Sequence, residues 1–404
     1  MTLRTNKRYP RSILTVNGPI HFSRYVLRPK TKRDSELLYS TEGATAVVPM
    51  DQYLGLTWLP FKMTVATMLE VVYWAQNQCS YQAAEDALLK TLGLKINDDT
   101  VRLVTNTIGS LVFQKDCENA QEGYRKLNTG KLSFPRKKSG ILYIETDGAA
   151  LNTRFKDQSG SSWRENKLGL VFSSDNLYSW HDKHGVLQHQ IRKKEYVSFV
   201  GSVDEFQKHL FACALRNGYG NYNETALLSD GATWIRNMKE LLFPDAQQIL
   251  DFYHLCENVY TYAKDIFNME ESVYKPWAAR ICRDLKKSRY KDVLKELESM
   301  DIRQTQKSPL NLHGYISNNI LNIDYQSYLN KGYFIGSGAI ESANKTILQK
   351  RLKQAGMRWN TDSAQSLLTL RAKRESGLWV KDVVIPAMKH FGGHKSLPFS
   401  GTES

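Results

Sequence analysis

Two short runs, "YIETDG" at 143–148 and "LLSDG" at 227–231, end alike: an apolar, strand-type stretch meets an Asp followed at once by Gly. Asp147 and Asp230 therefore read in two ways. They are turn residues, a role that suits Asp before Gly, or they are acids held at the mouths of two neighbouring strands. A third acid, Glu341, lies in "IGSGAIES", where Ser337 is placed to cap a helix and Glu341 to project from its first turn. Its plain alternative is that of a cap partner. Three carboxylates converging without cysteine or imidazole make a hard oxygen site, suited to Mg²⁺ or Mn²⁺. Two such ions about 4 Å apart activate a water or a 3′-hydroxyl on one side of a phosphodiester and stabilise the leaving oxygen on the other.

The elements that would position these acids follow from periodicity. Residues 1–48 form a basic arm: from Arg4 to Arg33 the only charges are Arg and Lys, and such a segment reads as a solvated tail or a nucleic-acid contact. Over 49–135 the pattern is helical, with Met63, Val65, Met68, Leu69, Val72 and Trp74 on one face. A helix through Ala83, Ala87 and Leu88 should stop near Gly93, and another should begin after Asn97 with Asp98 and Asp99 in its first turn, where acids suit the helix dipole. That pair reads either as a DNA-binding helix-turn-helix or as a helical hairpin that only packs. A polar stretch, "NTGKLSFPRKKSG", suggests a domain boundary.

Beyond it the pattern changes to strands, "GILYIETDG", "AALNTRF" and "KLGLVFSS", then a helix through Phe206, Leu210, Phe211 and Leu215. The strand "TALLSDG", the helix "ATWIRNMKELLF" and the strand "QQILDFYHL" follow. This order indicates an α/β fold, a mixed sheet covered by helices, spanning 140–254. A helical block occupies 255–330, the acidic helix and basic helices 331–390, and a tail 391–404.

The 404 residues carry a formal net charge of +14 and a pI near 9.3, which points to a polyanionic partner. No run approaches the ~18 apolar residues of a membrane span, so the chain is expected to be soluble and intracellular. The five cysteines form no C-x-x-C pair, which argues against a zinc knuckle or a disulfide framework.

The series "SDGATWI", "ILDFYHL", "IGSGAIES" and "RLKQAGMRW", in this order, resembles a bacterial insertion-sequence DDE transposase of the Mutator-like group, closest to its Kra-type or Lre-type branch. The resemblance runs from "VPMDQYLGL" to Trp379. It implies a ribonuclease-H-like core with a helical insertion, preceded by a mostly helical DNA-binding region. The first Asp follows the first strand and the second follows the fourth. Asp147, Asp230 and Glu341 would bind two Mg²⁺ or Mn²⁺ ions, and His254 of "DFYH" would stand near the reacting phosphate. The implied activity is cleavage of element ends and joining of their 3′-hydroxyls to target DNA, by a homo-oligomer in the cytoplasm at the nucleoid. The alternatives are a catalytically silent DNA-binding relative and a metal-dependent nuclease that does not join strands.

Several neighbouring residues carry paired readings. His254 orients phosphate or water, or it bonds Asp251 and fixes the strand end. In "SSWRENK", Arg164 and Lys167 contact DNA or close a hairpin ion pair. Lys345, Lys350, Arg351, Lys353 and Arg358 make a basic face for flanking phosphates or a solvated surface. Trp359 stacks on an unpaired base or packs in the core.

Overall fold

The structure, a computed structural model, describes residues 3–4, 7–42, 44–134, 137–185, 187–300 and 307–392. The chain divides into two compact units, Met1–Gln114 with Leu378–Ser404 and Lys115–Gly377. The division falls inside a long helix and not in the polar stretch at 128–140.

The first unit begins with four strands, β1 (Leu3–Arg4), β2 (Arg8–Thr15), β3 (Gly18–Tyr25) and β4 (Arg28–Pro29). β2 and β3 form an antiparallel ribbon, and β1 pairs with β4. The basic arm is thus folded and is not a solvated tail. The reason lies in Asp51, almost fully buried, whose carboxylate Oδ2 accepts from Arg11 and, at 2.9 Å, from Arg24 Nε. A buried carboxylate demands such partners. Helices α1 (Lys32–Glu42), α2 (Pro49–Tyr53), α3 (Val65–Asn77), α4 (Tyr81–Leu92) and α5 (Asp98–Asn128) follow. The expected stop and start are where the sequence puts them: α4 closes on a left-handed Gly93, and Asn97 Oδ1 accepts from Thr100 N at 2.8 Å to open α5. Leading the chain back into this unit, a π-helical turn at Trp379–Val384 precedes a last helix, Ile385–Phe391. Of the tail at 391–404 only Phe391 and Gly392 lie within the described residues.

The second unit holds a five-stranded sheet built from β5 (Lys138–Asn152), β6 (Trp163–Ser173), β9 (Glu195–Val200), β10 (Tyr222–Ser229) and β11 (Gln247–Leu250). A separate two-stranded ribbon, β7 (Leu177–His181) with β8 (Leu187–Ile191), joins β6 to β9. The order across the sheet is β11-β10-β5-β6-β9; β5, β6 and β9 form an antiparallel meander, while β10 and β11 run parallel to β5. Alternation sorts β5 into two faces. Leu142 and Ile144 join one core with α6 (Val203–Arg216) and α7 (Thr233–Leu242), through Phe206, Leu210, Ile235 and Met238. Tyr143, Glu145 and Asp147 belong to the other face.

Two strand readings need correction. Asp147–Gly148 does not end β5, because β6 pairs with it continuously from Leu142 to Asn152, so "AALN" is the same strand and not a second one. Likewise "QQILDFYHL" splits: β11 stops at Leu250, and Asp251 caps α8 (Phe252–Ile266). The helical block continues as α9 (Glu271–Lys286), α10 (Tyr290–Ser299), α11 (Leu312–Asn318) and α12 (Tyr325–Asn330). Then come α13 (Gly338–Ala343), a π-helical turn (Asn344–Gln349), α14 (Lys350–Leu352) and α15 (Thr361–Glu375). α15 covers the free edge of β9: Gln365 accepts from Val200 N at 2.8 Å and donates to Ser198 O at 2.9 Å. Among the described residues no helix is long and apolar enough to cross a membrane.

Candidate active site

The last parallel pair between β10 and β5 joins Leu228 to Glu145. Two residues further along, Asp230 leaves β10 beside Asp147, on strands whose neighbours lie about 4.8 Å apart. The Asp-Gly step at 230–231 needs glycine: Gly231 has φ +86°, and a Cβ there would meet Leu250 Cδ1 at 2.8 Å. Asp230 Oδ1 accepts from Ala232 N at 3.0 Å as the chain turns into α7, and Tyr315 Oη donates to the Asp230 carbonyl at 2.9 Å.

Asp147 is held from two sides. Oδ1 accepts from Gly148 N at 2.7 Å, and Oδ2 accepts from the Asn344 side-chain amide at 2.5 Å. Burial, and then the charge of Asp230, raise its carboxyl above the usual range, while Gly148 N–H, Asn344 and His254 pull it down. Glu145, on the same face, is almost fully buried and accepts from Ile340 N at 2.9 Å; desolvation pushes it to about 8. Glu341 sits between Ile340 and Asn344, so its helix is pinned across β5 on both sides of the third acid. The Glu341 side chain itself is exposed.

Asp251 supplies the strap behind this helix. Oδ1 accepts from His254 N at 2.8 Å, and Oδ2 accepts from Ser337 N at 2.6 Å and from the Ser337 hydroxyl. Ser337 therefore does not cap α13 with its side chain, because its hydroxyl is already given to Asp251. It is the His254 backbone N–H that bonds Asp251. The ring is half-exposed, with Nδ1 3.9 Å from Glu257 Oε2.

The structure thus brings Asp147 within reach of the charges of Asp230 and His254 and places Glu341 on the neighbouring helix. Among the described residues no three His, Cys, Asp or Glu side chains stand close enough together to make a metal site. The donor chemistry fits a hard divalent cation, since Asp147 and Asp230 bring two carboxylates near enough for the charge of one to act on the other. Glu145, Asn344 and Tyr315 were missed by sequence reasoning. Glu145 was marked by its position two residues before Asp147 on one strand face, and Asn344 by standing three residues after Glu341; no local pattern marks Tyr315.

The basic residues divide. Lys345, Lys350, Lys353 and Arg358 are exposed. Arg351 is fully buried, its guanidinium 5.2 Å from the centre of the Trp359 ring, and Trp359 Nε1 donates to Leu352 O at 3.1 Å. Trp359 also bridges Thr153 beyond the end of β5, with its N bonded to Asn152 O at 3.1 Å. Burial takes this Arg–Trp pair out of the exposed face that sequence assigns to DNA. Arg164 ties a loop, through Asp157 Oδ2 at 2.9 Å and the Ser161 carbonyl at 2.9 Å. Lys167 is buried and donates to Glu165 of the same strand at 2.7 Å and to Gly201 O at 2.8 Å, so each of the two cations has a carboxylate partner within the chain.

No protein-family model matches the chain. Over 377 residues, 91% of this chain and 73% of the other protein, it is 22% identical to a protein of Streptococcus gallolyticus named "UPF0236 protein in vanSb 3′ region".

Proposed function

We propose that the chain is a DDE-type DNA transposase with a ribonuclease-H-like core, acting on the ends of its own element and on target DNA. The observation that carries this reading is the adjacency of Asp147 and Asp230 at the β5–β10 edge, under a helix pinned by Ile340 and Asn344 on either side of Glu341. With the strands of the five-stranded sheet counted in chain order, the first acid lies on the first strand, the second directly after the fourth, and the third beyond a helical insertion. That is the arrangement the resemblance implies, and the similarity to the UPF0236 protein runs along nearly the whole chain.

Asp147, Asp230 and Glu341 would hold Mg²⁺ or Mn²⁺. The ions supply activation of a water or 3′-hydroxyl and stabilisation of the leaving oxygen. The chain's own residues orient and bind. Asn344 fixes the carboxylate plane of Asp147 through Oδ2, Ile340 N–H occupies Glu145, and Asp251 anchors Ser337 at the start of the helix. Lys345, Lys350, Lys353 and Arg358 offer cations to the phosphates beside the cut.

The test uses DNA flanking the gene, in which inverted repeats bracketing the coding region define the ends. With Mg²⁺, the chain should nick such ends and join them to a second duplex. Asp230→Asn should abolish both products yet leave end binding intact or slightly tighter, because the carboxylate repels DNA. Nicking by Asp230→Asn at the wild-type rate removes Asp230 from the site, and nicking without a joined product makes the protein a nuclease.

A further inference from the structure

The ribbon β7–β8 lies outside the sheet whose strands it connects. Its register sets Tyr178 against Gln190, Ser179 against His189 and Trp180 against Gln188. Alternation therefore gives the ribbon two unlike sides. On one, the Ser179 hydroxyl bonds His189 Nδ1 at 2.8 Å, and the His189 ring meets Phe334 edge-on at 5.2 Å. Phe334 lies against Tyr143 of β5, so this side faces the body of the unit. On the other side Tyr178 and Trp180 stack, with centroids 5.6 Å apart and planes 24° from parallel. The Arg192 guanidinium sits 4.1 Å from the centre of the Tyr178 ring.

This row of Arg192, Tyr178 and Trp180 remains in solvent: the two rings are 44% and 40% exposed. Tyr178 is flanked by both a cation and a ring. Among the described residues Trp180 has Tyr178 as its one stacked neighbour, which leaves it a face to offer. The ribbon and its exit carry Lys183, Arg192, Lys193 and Lys194 against one carboxylate, Asp182. That carboxylate is already engaged by His184 N at 2.8 Å and by the Gln188 amide at 3.0 Å. A surface of positive charge interleaved with open aromatic faces matches a partner that is anionic along its backbone and flat in its side groups. Paired duplex hides those flat faces within its stack, and an unpaired strand presents them.

We infer that the β7–β8 ribbon is a stacking platform for an unpaired stretch of nucleic-acid strand, with Trp180 receiving a base and Arg192 and Lys193 its phosphates. The platform belongs to the same unit as the acids, and its inner side rests through Phe334 on the segment that leads to Ser337 and Glu341. It does not depend on the acid chemistry, and its test is run without divalent ions so that a failure of cleavage leaves it standing.

Fluorescence anisotropy with a labelled single strand of about 20 nucleotides, a length that spans several base-stacking positions, reads the effect. Trp180→Ala should weaken single-strand binding about ten-fold, within the range of one base–aromatic stack. Trp180→Phe should keep affinity to within about three-fold, and binding of the blunt duplex should change by less than about two-fold, since a paired strand offers no free face. On the unaltered chain, a single strand carrying 5-bromouracil should photo-crosslink to the peptide containing Tyr178 and Trp180. Equal single-strand affinity for Trp180→Ala and wild type, or an equal loss for both DNAs, overturns the inference. So does a crosslink confined to other peptides, or sedimentation showing that Trp180→Ala separates a wild-type dimer. Should the alanine variant fail to fold, the crosslink on the unaltered chain decides alone.

Discussion

Asp147 owes its orientation to a side chain 197 residues away, the Asn344 amide. Partners of this kind are worth roughly 10- to 100-fold in metal affinity or activity. Asn344→Ala should therefore raise the Mg²⁺ concentration for half-maximal cleavage about ten-fold while leaving DNA binding unchanged. Asn344→Asp should be worse, because a carboxylate would face Asp147 in place of a donor. A Mg²⁺ titration of both variants that overlays wild type would show that Asn344 does not position the acid. At this scale the two Asp-Gly steps and the run around Glu341 were legible as local patterns, and the structure sets Asp147 within reach of the charge of Asp230. The sequence was not legible where the partner is distant: nothing near Tyr315 in the chain signals that it reaches the Asp230 carbonyl, and the place of Asn344 three residues after Glu341 does not name Asp147 as its partner.

Elements show why local signals mislead. Asp-Gly at 147–148 has the composition of a turn, yet β6 supplies ladder partners on past it, and tertiary pairing prevails over propensity. The same signal at 230–231 does mark an end, because β10 has no further pairing and Gly231 takes a positive φ. α6 also closes tightly on β6 at Gly169. A Cβ at Gly169 would lie 2.6 Å from Cδ1 of the fully buried Leu210, whereas one at Gly148 would meet only the half-exposed side chain of Glu165. Gly169→Ala should thus cost about 1–3 kcal/mol, the usual penalty of overpacking, read as a lower urea midpoint at unchanged slope. Gly148→Ala should shift it much less. The segment after Glu341 makes a second contrast. Arg358→Ala should weaken end binding and reduce its salt dependence by about one counterion with stability intact. Arg351→Ala should do the reverse, lowering stability through loss of the buried stack on Trp359 while the slope of binding against salt is kept. A salt series and a urea melt on both variants check this pair.

For the molecule as a whole, charge and folding depend on groups far from the acids. His209 is buried on α6 beside Cys117 and Phe199, with Cys117 Sγ 3.7 Å from Nε2. Desolvation, partly opposed by Glu205, holds its imidazole down at about 4. The unfolded chain takes up a proton there near pH 6.5 and the folded chain does not until near 4. Stability from this group is therefore full above about pH 6.5 and is lost as pH falls toward 4, by an amount on the order of 3 kcal/mol. His209→Phe should flatten that part of the curve of urea midpoint against pH. The division of the chain into two units has a further result. The unit carrying the acids is one continuous stretch, Lys115–Gly377, but the other joins residues that precede Lys115 to the segment from Leu378 onward. During synthesis, at roughly 5–20 residues per second, the amino-terminal residues must wait on the order of tens of seconds for their last helix while the unit behind them has all its own residues in hand. Of the two units, the one begun earlier is then finished later, and until that moment the buried side of α3 that receives the helix Ile385–Phe391 is open to chaperones and to proteases.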